Sequence, residues 1–165
     1  MNKKYELVKE DTIEVNGKTL YRIRALKDFG VHVHAGDLGG YIENELNLSQ
    51  EGNCWIYNEA KVYDLAVVIG NARIYGKAEI YGNALVNDDV EIFDNVNILG
   101  NAVVSGSCKL FDNVCISGYA KIHGKSVLTG KIRVIDNAEI YGRSRIYGNI
   151  EISGNTKMEC VTHVC

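Results

Sequence analysis

The sequence predicts an all-β chain wound as a single-stranded parallel β-helix, with a β-hairpin cap at its N-terminus. Three observations predict it. From residue 54 to residue 164 the chain repeats every six residues with no insertion or deletion. The third position of each hexad is aliphatic throughout, from Ile56, Val62, Val68 and Ile74 to Ile152, Met158 and Val164. Proline is absent from the whole chain, as suits a backbone whose N–H groups are nearly all used in ladders.

Residues 1–47 lack the hexad and are assigned to a β cap; residues 48–165 are assigned to the repeat. Within the cap, TIEVNGKTLYRIRAL reads as a hairpin, because Asn16-Gly17 between alternating segments is the strongest short-range turn signal. A second extended piece is expected at 31–34, leading into a turn region at 36–40. The cap would cover the strand edge of the first coil.

Inside each hexad, positions one to four alternate inward and outward, as a short strand requires. Position one is mostly small, often Ala, and position three is aliphatic, so both face the core. No charged residue occupies either position in the run, where a buried charge would cost several kcal/mol. Position five is mostly Gly or Asp and position six is often Asn, residues that tolerate the left-handed backbone of a sharp corner. Four strand residues and a two-residue corner wrap a triangular prism. Three hexads close one coil, each strand pairs with the strand 18 residues on, and some six coils at about 4.8 Å give a rod of roughly 30 Å. The hexad runs to Val164, so the last coil is expected to offer open edges that pair with a second copy or a partner.

The composition is that of an ordinary globular protein, 46% hydrophobic and 24% charged, with a net charge of −3. That balance argues against general affinity for nucleic acid or membrane. A polar start, the lack of a membrane-length apolar run, and five cysteines without paired-motif spacing lead to the expectation of a cytoplasmic protein.

The hexads resemble the hexapeptide-repeat, left-handed β-helix proteins, many of which are trimeric acyltransferases. Here the glycine lies two residues after the aliphatic rather than next to it, so handedness is implied by the resemblance alone. The segment GGYIENELNLSQEGNCWIYNEA at 39–60 is similar to the entry segment of the YdcK-like β-helix proteins of bacteria and phages. Fold-level likeness does not establish chemistry.

Acyltransferases of this kind carry a catalytic His and a loop that leaves the coils. His123, with Lys121 and Lys125 nearby, has no such insertion, and the chain is expected not to be an enzyme and to need no cofactor or metal. His32 and His34 on the cap read as a solvated strand face. Cys160, His163 and Cys165 read as core and terminus, and Cys54 and Cys108 as small inward hydrophobes.

The outer columns direct attention to binding. One pairs Trp55, Arg73 and Lys109 with Tyr57, Tyr75, Phe93, Phe111 and Tyr147, an aromatic and basic composition typical of interfaces. Self-stacking between coils is the alternative reading. Val67, Ile69, Leu85 and Val103 form an apolar outward group, expected to meet the cap or another subunit. Asp88, Asp89, Glu91 and Asp94 form an acidic belt, and Lys121, Lys125, Arg143 and Arg145 a basic patch two to three coils later. The expectation is a rigid, homo-oligomeric module that docks on a host protein or nucleoprotein. Resemblance to phage-borne members extends this to an anti-defence inhibitor, such as an anti-CRISPR protein. A trimeric acyltransferase with an intersubunit site and a self-assembling structural solenoid are the alternatives.

Overall fold

In the computed structural model, residues 3–159 and the backbone of residues 163–164 are described. The hexads wrap a three-sided prism, as expected, in coils of 18 residues. On the first face Arg73–Ile74 pairs in parallel with Trp55–Ile56 above and Glu91–Ile92 below, Ile74 opposite both Ile56 and Ile92. Ile92 in turn lies opposite Leu110. The second face stacks Lys61–Val62, Glu79–Ile80, Asn97–Ile98 and Cys115–Ile116. The third stacks Val67–Val68 down to Lys157–Met158. Most of these strands are two residues long. Lys109–Asp112 has four, and Val127–Val134 and Arg145–Ile152 have eight and run through the corner between the first and second faces, which joins those faces into one sheet.

Positions one and three form the core. Ala60, Val62, Ala66, Val68, Ala72 and Ile74 are fully buried, and the pattern continues along the axis. Each buried Ile or Val contributes about 1.5–3 kcal/mol relative to exposure. Ser126 and Ser144 take the place of Ala at position one and are also buried. Their hydroxyls donate to the carbonyls of His123 at 3.0 Å and Tyr141 at 2.7 Å, which removes the cost of burying them.

The corners explain the residues at position five. Asp64, Asp88, Asp94, Asp112 and Asp136 all have φ near +60°, as Asn58 does. Four of these carboxylates also accept a backbone N–H from the next coil: Asp64 from Gly82 at 3.0 Å, Asp88 from Gly106 at 2.9 Å, Asp94 from Asp112 at 3.2 Å and Asp136 from Gly154 at 2.9 Å. Aspartate thus adopts the turn and links neighbouring coils.

The cap continues the second face. Strand β1 (Tyr5–Val15) pairs antiparallel with β2 (Lys18–Ala25) through the Asn16-Gly17 turn, and β2 pairs antiparallel with β3 (Leu38–Ile42). Strand β3 then pairs in parallel with Lys61–Val62. The expected extended piece at 31–34 is mostly turn, with one bridge from Phe29 to Val33. The strand lies instead at β3, which overlaps the 36–40 segment read as a glycine turn. Its glycines serve close approach: a Cβ on Gly40 would lie 2.3 Å from the Ala60 carbonyl oxygen, and one on Gly39 would lie 2.6 Å from that of Ile56. The free edge of β1 carries a bulge between Val8 and Thr12 and the exposed residues Lys9 and Glu10, features that discourage edge pairing.

Two contacts seat the cap. Leu20, Tyr41 and Tyr63 form a buried cluster with Ile13, Val15 and Tyr81 on the outside of the second face. Over the first face, the rings of Tyr5 and Phe29 meet Trp55 edge-on at 6.2 and 5.3 Å. The hairpin therefore packs over Tyr63 and Tyr81 rather than on the Val67–Val103 group. Among the described residues no helix is long and apolar enough to cross a membrane.

Candidate functional site

On the lower third face the outward positions change from apolar to polar. Val67, Leu85 and Val103 give way to Lys121, Glu139 and Lys157 in one column. In the neighbouring position-four column stand His123 and Tyr141. Ile122 pairs with Ile140, so His123 lies diagonally above Glu139, and its Nε2 is 2.9 Å from Glu139 Oε1. Lys157 Nζ holds the other carboxylate oxygen at 3.0 Å. Hydrogen bonds from His123 and then Lys157 keep the Glu139 carboxyl below its ordinary range. The Tyr141 ring stacks on the imidazole, with centroids 5.8 Å apart.

Beside this pair a cleft of about 410 Å³ is lined by Tyr119, Lys121, Asn137, Glu139, Asn155 and Lys157. Tyr119 is 63% exposed at its rim. Nε2 is the ring nitrogen turned to Glu139, and Nδ1 is the one turned away from it. The cleft is lined by the Glu139 carboxylate and two ammonium groups, which suit an anionic group, and the imidazole adjoins it through Glu139. His123 stands out in the sequence without its partner. Glu139 was findable, because it stands one coil below Lys121 in the same column.

The other candidates have different surroundings. Trp55, expected to face outward in a partner-binding column, is 1% exposed because the cap covers it. Tyr57, Tyr75, Phe93 and Phe111 stack on one another at 4.3, 4.9 and 4.8 Å, nearly parallel. A second ladder, Tyr63 on Tyr81 at 5.0 Å, was not singled out from the sequence.

The acidic belt is tied into the coils. Glu91 lies between Arg73 and Lys109, 2.7 Å from the Lys109 ammonium, and Asp89 accepts from the Asn71 amide at 2.9 Å. Partial burial alone would raise the Glu91 pKa, but these two cations hold it below the usual value. Lys121, Lys125, Arg143 and Arg145 are exposed, and Lys125 and Arg143 stand one coil apart at the same corner. Arg145 lies around that corner on the first face, as does Tyr147 beside it. His34 Nδ1 lies 3.7 Å from Asp37. Among the described residues no three His, Cys, Asp or Glu side chains gather as a metal site. Cys160, His163, Cys165 and the expected open C-terminal edge involve side chains outside the described residues.

The aliphatic hexads stacked every 18 residues define a hexapeptide-repeat β-helix protein. Within that class the chain is YdcK-like: over 52 residues, 31% of its length, it is 48% identical to the uncharacterized acetyltransferase YdcK of Escherichia coli (strain K12). The chain covers 16% of that protein's length. No protein-family model matches. This likeness overturns the expectation that the chain is not an enzyme, because the relative it matches is described as an acetyltransferase.

Proposed function

We propose that the chain transfers an acyl group, with acetyl-CoA as donor and a hydroxyl or amine as acceptor, at the cleft on the lower third face. The observation that carries this reading is the His123–Glu139 pair, 2.9 Å apart, whose carboxylate lines that cleft. Glu139 orients the ring, and Nδ1 takes the proton of the acceptor as its oxygen or nitrogen bonds to the acyl carbon. The carbon–sulfur bond breaks, and the thiol leaves with a proton. Lys121 and Lys157 supply positive charge for the phosphates of the donor. The match to an acetyltransferase agrees with this chemistry.

The test is acetyl-CoA turnover and thermal shift. A rise of several degrees in Tm with acetyl-CoA, together with thiol release that falls at least about 100-fold in His123→Ala, is expected. No shift with acetyl-CoA, or undiminished turnover in His123→Ala, overturns the reading.

A second reading rests on the corner patch. Lys125, Arg143 and Arg145 are exposed and form no ion pair among the described residues, an arrangement suited to docking an acidic protein surface. The host-directed inhibitor role is a narrower form of this reading. A pull-down from host lysate with the wild type and with Arg143→Glu/Arg145→Glu tests it. Loss of a captured acidic protein in the variant supports the reading, and equal capture by both removes the patch from it.

A further inference from the structure

We propose that Lys4 and Cys54 are an oxidative cross-linking site, at which peroxide joins the lysine nitrogen to the cysteine sulfur through one oxygen atom. Among the described residues Lys4 is the only buried lysine, 1% exposed, and Cys54 is fully buried. The Lys4 ammonium nitrogen lies 3.3 Å from Cys54 Sγ. It is held there by the carbonyls of Cys54 at 3.0 Å and Glu51 at 3.3 Å, and it sits over the Phe29 ring at 5.2 Å. At this separation one bridging oxygen needs a small approach, whereas a direct sulfur–nitrogen bond needs a far larger one.

Burial lowers the Lys4 pKa and raises that of Cys54, so it works against the charge on each group. A cavity of about 1110 Å³ borders Lys4, with Gln50, Glu51, Gly52 and Asn53 in its wall, and brings peroxide to the lysine side of the pair. Cys108, the other inward cysteine, has no lysine partner and donates to the Ser105 carbonyl at 3.1 Å.

The chemistry balances. One peroxide converts the thiol to a sulfenic acid and water. A second converts the amine to a hydroxylamine and water. Condensation of the two hydroxyl groups expels a third water and leaves N–O–S. Sulfur and nitrogen each lose two electrons, and the two peroxides accept four. The product ties the residue just before β1 to the first coil covalently.

The test is peptide mass spectrometry of the full chain after dilute hydrogen peroxide. The Lys4 and Cys54 peptides should appear joined, heavier than their sum by one oxygen less two hydrogens, about 14 Da, and should separate on reduction with dithiothreitol. Cys54→Ala supplies the commonest residue at this position of the hexad, and Lys4→Arg keeps the cation. Both should fold, by circular dichroism, and neither should give the joined species. Cys54 carrying oxygen with Lys4 unmodified, or Cys54 unchanged while Cys115 is oxidised, overturns the proposal.

Discussion

Asp88 Oδ2 accepts the amide of Gly106, one full coil away, at 2.9 Å. The same residue holds φ at +64°. One side chain therefore meets two needs, a left-handed corner and a bond between coils. Asp88→Gly should lose only the bond and cost up to about 1 kcal/mol, whereas Asp88→Ala should also pay the left-handed penalty and cost about 2 kcal/mol. Urea unfolding of the two variants beside the wild type measures both terms.

Gly82 makes the complementary case. Its φ is +72°, and a Cβ there would lie 2.9 Å from the Gly100 amide nitrogen. Gly82→Ala should destabilise by at least about 1–3 kcal/mol, from backbone strain and from the clash with the next coil. Gly154 has a similar φ of +68° but nothing within 4 Å of its added Cβ. Gly154→Ala should therefore cost less, and paired denaturation curves decide it.

Trp55 tests how the cap is seated. Tyr5 and Phe29 enclose it from the cap side. Trp55→Ala should cost about 3–5 kcal/mol. The loss should appear first as faster amide exchange in β1 and β2, with the lower coils still protected.

The hairpin also carries a pH-dependent tie. Lys18 bonds the Asp64 carboxylate at 2.7 Å, and this hydrogen bond holds the Asp64 pKa below 3.8. A carboxyl whose folded pKa is lowered stabilises the fold above its unfolded pKa, and the contribution is lost as pH falls through the lowered value. Stability should therefore fall below about pH 4 in the wild type. Asp64→Asn, which still tolerates the left-handed corner, should show a shallower fall across the same window. Thermal melts from pH 6 to pH 2 supply the comparison.

The repeat was legible because burial imposes one strict rule on each strand. Position three meets the axis of the prism, so every unit from Ile56 to Ile152 shows the same aliphatic constraint. The corners were legible because few residues accept a positive φ. The cap was less so. Gly39 and Gly40 read as turn residues, yet they are strand residues stripped of side chains to let β3 approach the coil. That cause lies in residues distant along the chain, Ile23, Ile56 and Ala60, and leaves no local mark. Trp55 was misplaced for a related reason, since its outward position follows from the hexad while its cover comes from the cap. The His123–Glu139 pair was within reach, because the coil length alone sets those two columns side by side.

The chain pairs with itself one coil away. The amide of Glu91 donates to the Cys108 carbonyl at 2.9 Å, and the amide of Arg73 to the Val90 carbonyl at 2.8 Å. Nuclear magnetic resonance couplings across hydrogen bonds report such pairs directly. Correlations from Glu91 nitrogen to the Cys108 carbonyl carbon, and from Arg73 nitrogen to that of Val90, are predicted. Correlations from these amides to the neighbouring hexads instead, as hairpins between consecutive strands would give, would contradict the coil and every surface column built on it.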